Sequence, residues 1–131
     1  MSDEAPGCVM DASALLALLH VEPGADAVEA AIDRAAISTV NWSEVCQRSV
    51  ARGVETSGLR DDLEALGLEI VPFSVEDAEQ AASLWPRSRD HGLSLGDRAC
   101  LALATRLRRA ALTADRSWLA LELDVEIRPI R

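Results

Sequence analysis

The chain has no lysine, no tyrosine, a single phenylalanine and only three tryptophans among its 131 residues. With Phe73, Trp42, Trp85 and Trp118 as the whole aromatic complement, a core has to be built from Ala, Leu, Val and Ile, which dominate the 49% hydrophobic fraction. That composition belongs to a globular chain, not a disordered one. A chain of this length is in the range of a single domain and buries roughly two-thirds of its extended-chain surface on folding. The three cysteines, Cys8, Cys46 and Cys100, are odd in number and widely spaced. They fit neither a disulfide framework nor the paired spacing of a zinc site and read as reduced thiols packed as small apolar residues. All thirteen basic residues are Arg against twenty-two acids, giving a net charge of −9. The use of Arg alone reads as coding bias and carries no functional weight. The charge excludes a protein that grips nucleic acid through a broad basic surface, because phosphate neutralisation supplies most of that affinity. Any role on nucleic acid has to be local.

Further absences narrow the function. The opening MSDEAPG is acidic where a secretory signal is basic, and the apolar run behind it is broken by Asp11, too short for a bilayer. A cytoplasmic protein without a membrane segment is the expectation. No G-x-x-x-x-G-K-[ST] or G-x-G-x-x-G stretch occurs, so a nucleotide-cofactor enzyme has no support. His20 and His91 lie far apart and have no partner at metal-ligand spacing.

What is present is an alternation of short β-branched runs with longer helical patterns, the signature of βαβ units and a parallel sheet. Strands are expected at Cys8 to Met10, Ala36 to Val40, Glu69 to Phe73, Ala111 to Thr113 and, as a last edge strand, Val125 to Ile127. Helical patterns cover Ala12 to Leu19, Ala25 to Arg34, Trp42 to Arg52, Leu59 to Leu66, Val75 to Leu84 and Gly96 to Arg109. Gly53 and Gly67 are C-terminal stops, Pro86 closes the fifth helix, and Pro86 to Gly92 reads as irregular. No repeat or linker divides the chain, so residues 1–131 are expected to form one domain with 1–7 as a flexible tail.

Most of the acids follow solvated helix faces, but four stand apart. Asp11 follows the first strand, Glu44 lies just past the second, Asp97 opens the long amphipathic helix and Asp115 follows the fourth strand. The carboxyl ends of parallel strands share one edge, so these positions converge from distant parts of the chain. Each also fits a helix N-terminus: Asn41 to Glu44 and Ser94 to Asp97 resemble capping boxes, and Asp11 and Asp115 suit N-caps. Caps do not need one another, whereas a hard divalent cation needs several oxygen ligands in one place. The two readings are compatible, since helix N-termini carry partial positive charge that eases repulsion among clustered carboxylates.

The segments CVMDASALLALL, STVNWSEVCQR, GLSLGDRACLALATRL and ALTADRSWLAL resemble, in order and spacing, the PIN-domain family, in particular the VapC-like toxins of toxin–antitoxin pairs. The resemblance runs from Cys8 to the C-terminus. It implies a three-layer α/β/α sandwich with a central, mainly parallel sheet, and a magnesium- or manganese-dependent endoribonuclease whose four acids fall on Asp11, Glu44, Asp97 and Asp115. Ser13 and Thr113 stand beside two of those acids and Asn41 near a third, as candidates for orienting them, with a local turn or cap bond as the plainer role.

Such a site needs no protein nucleophile, and the expected products are a 5′-phosphate and a 3′-hydroxyl, with Asp11, Asp97 and Asp115 on a principal ion and Glu44 serving a second. The implied partners are the RNA substrate, a small cognate antitoxin and a second copy of the chain in a homodimer. Arg98 is expected in a surface ion pair, and Trp118 is a candidate for stacking a base, with packing under the last strand the plainer fate. The rival reading is a PIN-like module that binds a partner with little or no nuclease activity. A phosphohydrolase of the haloacid dehalogenase type would want D-x-D at the first strand, where this chain has Asp11-Ala12-Ser13.

Overall fold

A computed structural model describes residues 6–131. The expected tail over residues 1–7 falls largely outside this range; of its last two residues, Pro6 is exposed and Gly7 half-buried. Five strands, β1 (Cys8–Met10), β2 (Ala35–Ser38), β3 (Glu69–Val71), β4 (Ala110–Thr113) and β5 (Ile127–Pro129), pair in the order β3-β2-β1-β4-β5. Every pairing is parallel. Parallel strands require crossovers, and helices supply them on both faces: α1 (Ala12–Leu19), α2 (Ala25–Ala31), α3 (Thr39–Ala51) and α4 (Leu59–Ala65), then α5 (Val75–Ser83), α6 (Trp85–Ser88) and α7 (Leu95–Leu107).

Strand alternation divides the interior into two cores. Cys8, Met10, Ala35, Ile37 and Leu112 pack against α1 to α4, while Val9, Ala36 and Ala111 pack against α7 and Trp118. The small residues of β2 and β4 let helices lie close on both faces. The result is the three-layer α/β/α sandwich. No helix among the described residues is long and apolar enough to cross a membrane.

The order of the strands places the site. From β1 the chain moves outward through β2 to β3, then returns to add β4 on the other side of β1 and β5 beyond it. The direction of winding therefore reverses between β1 and β4. The crevice at the carboxyl ends of two such strands is where open α/β sheets bind ligands. Asp11 directly follows β1, and Thr113 ends β4.

Several expected boundaries move, each for a local reason. Helix α3 starts at Thr39, because the Ser38 hydroxyl accepts the Val40 N–H and caps it there. Asn41 is thus inside the helix and not its cap. Pro86 does not end helical structure: it occupies the first turn of α6, where a missing N–H costs nothing, and a 3-10 turn at Arg89–His91 follows. The last strand lies at Ile127–Pro129, two residues later than Val125, with Pro129 tolerated on an edge. Gly67, at φ +112, brings the turn before β3 against the backbone of Asp33, where a Cβ would lie 2.6 Å from the Asp33 Cα.

Candidate active site at the carboxyl edge of the sheet

Asp11 caps α1 and is only 5% exposed. Its Oδ1 accepts the Ala14 N–H at 2.8 Å and the Ser13 hydroxyl at 2.7 Å, and its Oδ2 accepts the Thr113 hydroxyl at 2.6 Å. Both hydroxyls are themselves held by backbone. Ser13 Oγ accepts the Ala114 N–H and Thr113 Oγ1 accepts the Asp115 N–H. Two short relays therefore run from the turn after β4, through Ser13 and Thr113, onto one carboxylate. They fix the orientation of Asp11 across the crevice between β1 and β4.

Glu44 is half-buried on α3 and approaches the first turn of α7. Asn41 joins the two helices: its Nδ2 donates to Glu44 Oε1 and to the Gly96 carbonyl, both at 2.9 Å. Gly96 is what permits the approach, because a Cβ there would lie 2.8 Å from the Glu44 Cδ. Asp97 forms a true capping box with Ser94, its Oδ2 accepting the Ser94 N–H while its own N–H goes to the Ser94 hydroxyl. Asp115 is exposed, and its Oδ1 accepts both the N–H and the hydroxyl of Ser117.

The electrostatics tie three of the four acids together. Burial pushes the Asp11 carboxyl up to about 6; hydrogen bonds from Thr113, Ala14 and Ser13 oppose that rise, and the neighbouring Asp97 charge adds to it. Beneath them, the fully buried Cys100 thiol is raised well above its ordinary value, first by burial and then by the negative fields of Asp11, Asp97 and Glu44. Asp11, Glu44 and Asp97 thus act on one point. Asp115 reaches the group through Thr113, and its carboxylate is turned to Ser117. Among the described residues, no three His, Cys, Asp or Glu side chains stand as a ready metal cage.

The donor set can still be tested against a divalent ion. It offers carboxylate oxygens only, the choice of a hard cation. The nearby thiol is held protonated and is no soft ligand. The side-chain bonds of Glu44, Asp97 and Asp115 fall on one carboxylate oxygen each, whereas both oxygens of Asp11 accept hydrogen bonds. Local capping, the plain reading of each acid, therefore does not exhaust the capacity of Glu44, Asp97 and Asp115 to ligate. The donors fit a hard divalent cation by chemistry.

Arg98 comes out differently from expectation, Trp118 meets the plainer of its two readings, and Gly96 was not legible. Arg98 makes no ion pair among the described residues; it donates to the Ala81 carbonyl at 3.1 Å and lies 5.8 Å from the Trp85 ring centroid. Trp118 is fully buried and packs in the second core, so it has no face to offer a base. Gly96 was not singled out by sequence, although a glycine one residue before an acid at a helix start is an unusual choice that invites a packing explanation.

A sequence profile of the PIN domain matches residues 8–122. No curated protein matches the chain. Among solved structures, a chain in a toxin–antitoxin complex from Klebsiella pneumoniae superposes with a TM-score of 0.75 at 23% identity, covering 95% of this chain and 98% of that one. One in FitAcB from Neisseria gonorrhoeae gives 0.72 at 19% identity, covering 94% and 97%. One in VapBC2 from Rickettsia felis, bound to a DNA fragment from its promoter, gives 0.67 at 15% identity, covering 93% and 97%.

Proposed function

Since the chain belongs to the PIN-domain family, we propose that it is a divalent-metal-dependent endoribonuclease, the toxin of a toxin–antitoxin pair, working in the cytoplasm as a single PIN-like domain. The observation that carries this reading is the clasp on Asp11, a buried carboxylate fixed by Ser13, Thr113 and the Ala14 N–H at the sheet's switch point. A surface cap has no need of burial, two hydroxyl relays and two further acids acting on the same neighbourhood.

The residues that would hold magnesium or manganese are Asp11, Glu44 and Asp97, with Asp115 joining if its carboxylate turns from Ser117. When bound, the ion supplies an acidified water and neutralises charge on the phosphate being cleaved. The protein's own part is positional. Ser13 and Thr113 keep their protons directed at Asp11 and so fix the plane and orientation of its carboxylate. Asn41 holds Glu44 against the start of α7 and so sets its distance from Asp97. The N-termini of α1 and α7 offset part of the repulsion among the acids. Burial of Asp11 keeps bulk water from competing for its oxygens. Hydrolysis by water leaves a 5′-phosphate and a 3′-hydroxyl.

The partners in this reading are RNA, a small antitoxin that covers the acidic cleft and a second copy of the chain. The toxin–antitoxin complexes among the structural neighbours support the antitoxin. The rival, a PIN-like binding module, draws on the engagement of Asp115 with Ser117. Expression of the wild type beside Asp97→Asn, with sequencing of cellular RNA ends, decides between them. New 5′-phosphate ends confined to the wild type support the nuclease, and identical end profiles support the module.

A further inference from the structure

A local reversal of this protein's acidity is a groove of about 370 Å³ beside the acid site, lined by Ser13, Leu16 and His20 of the α1 side and by Arg48, Ala51 and Arg52 of the α3 side. Glu22 and Arg131 also line it. In a chain of net charge −9, three guanidinium groups here face one carboxylate. Glu22 is loosely held by two of them, 4.0 Å from Arg52 and 3.9 Å from Arg131, separations at the outer limit for an ion pair. Arg48 makes no ion pair among the described residues and is exposed. The His20 Nε2 is sealed from solvent without a hydrogen-bond partner among the described residues.

Two features join this groove to the acids. Ser13 belongs to both, since its hydroxyl donates to Asp11 while the residue lines the groove. On α3 and its C-cap, Glu44, Arg48 and Arg52 are spaced four residues apart and form one stripe. Each step along it is about 6 Å, comparable with the separation of successive phosphates along an extended single strand. The stripe begins with an acid at the cleavage site and continues with two cations at phosphate-like intervals.

Resting on the nuclease reading above, we infer that this groove is a subsite for the RNA backbone, in which Arg48 and Arg52 hold phosphodiesters flanking the one that is cleaved. The charge pattern solves a problem posed by the composition. An acidic protein with an acidic centre needs a local basic track to seat a polyanion, and the groove sets three guanidinium groups against the one carboxylate of Glu22. Guanidinium groups suit phosphate because they offer paired donors in a plane.

The test compares Arg48→Gln/Arg52→Gln with the parent chain, using single-stranded oligouridylate. Both residues are exposed, so folding is preserved. Binding is read with manganese present in an Asp97→Asn background, and cleavage in the otherwise wild-type chain. The double variant is expected to bind at least about tenfold more weakly, with its salt dependence reduced by a slope of about 0.7 per lost phosphate contact. In cleavage, KM rises and kcat at saturation holds, while the dinucleotide UpU, which carries only the scissile phosphodiester, is turned over as before. Arg60→Gln, which removes one positive charge from the exposed face of α4 where the double variant removes two, leaves every readout unchanged. Unaltered oligouridylate binding in the double variant, or an equal loss in Arg60→Gln, overturns the subsite. So does polyglutamate bound as tightly as oligouridylate and lost in the same variant, which would make the groove a seat for an acidic peptide. A wild type that cleaves no RNA overturns the nuclease reading, while the binding comparison still decides the groove.

Discussion

Asp11 carries its charge at a cost. A carboxyl whose folded pKa is about 6 against an ordinary value near 4 takes up protons on folding between those two pH values, so stability falls as pH rises through that window and then levels off. Full ionisation of Asp11 costs about 3 kcal/mol by this linkage, as an order of magnitude. Asp11→Asn is therefore expected to raise the melting temperature of the metal-free protein at neutral pH and to flatten the decline between pH ~4 and ~6, while abolishing RNA cleavage. Thermal melts across that range check it, and an Asn variant less stable than the wild type at neutral pH would contradict the burial argument. The same reasoning applies to Gly96. Placing a methyl against Glu44 is expected to leave α7 folded but to lower kcat/KM for RNA by about 10- to 100-fold; circular dichroism with steady-state kinetics separates the two effects.

At the scale of elements, α7 carries Asp97 and has to be held against its neighbours. Asp77, 1% exposed in the first turn of α5, receives two guanidinium bonds from Arg106 near the end of α7, at 2.7 and 3.0 Å. The Asp77 carboxyl is lowered despite its burial, which raises it, because the Arg106 bonds and charge and the capping bonds with Ser74 together outweigh that burial. Its stabilisation is thus present above the ordinary carboxylate pKa and lost as pH falls below it, the opposite sense to Asp11. Arg106→Gln leaves a buried acid without its cation and is expected to cost roughly 2 kcal/mol, read as a lower denaturation midpoint that converges on the wild type in strong acid. The elements themselves were largely legible in the sequence, because period and caps agree: α1 is found at Ala12–Leu19 as expected, and the Ser94–Asp97 box opens α7. The misplacements are cases of competing local chemistry. Ser38, not Asn41, caps α3, so Asn41 is released to bridge Glu44 and Gly96, a contact between residues 55 positions apart that no local pattern reveals. Arg98 turned to a carbonyl and a tryptophan face for a similar reason: its partners come from α5 and α6 and are invisible along α7.

For the whole molecule, the sequence order of the acids was readable but their relation was not. Strand order brings Asp11 and Thr113 together across 102 positions, and the sheet's reversal between β1 and β4 makes their edge the candidate site. Asp115 shows the limit of that reasoning, since a position at the right edge does not decide which way a carboxylate turns. A cation bound only by the folded protein stabilises it in proportion to the logarithm of its concentration, by about 2.7 kcal/mol at a hundredfold excess over Kd. Manganese is therefore expected to raise the melting temperature of the wild type and to leave Asp11→Asn unmoved. The most direct measurement is cleavage of single-stranded RNA by the purified wild type in manganese, beside the same reaction with chelator and with Asp11→Asn. Cleavage only in the first, leaving 5′-phosphate ends, is the expected result; cleavage that persists through chelation or in Asp11→Asn, or none in any of the three, would contradict it.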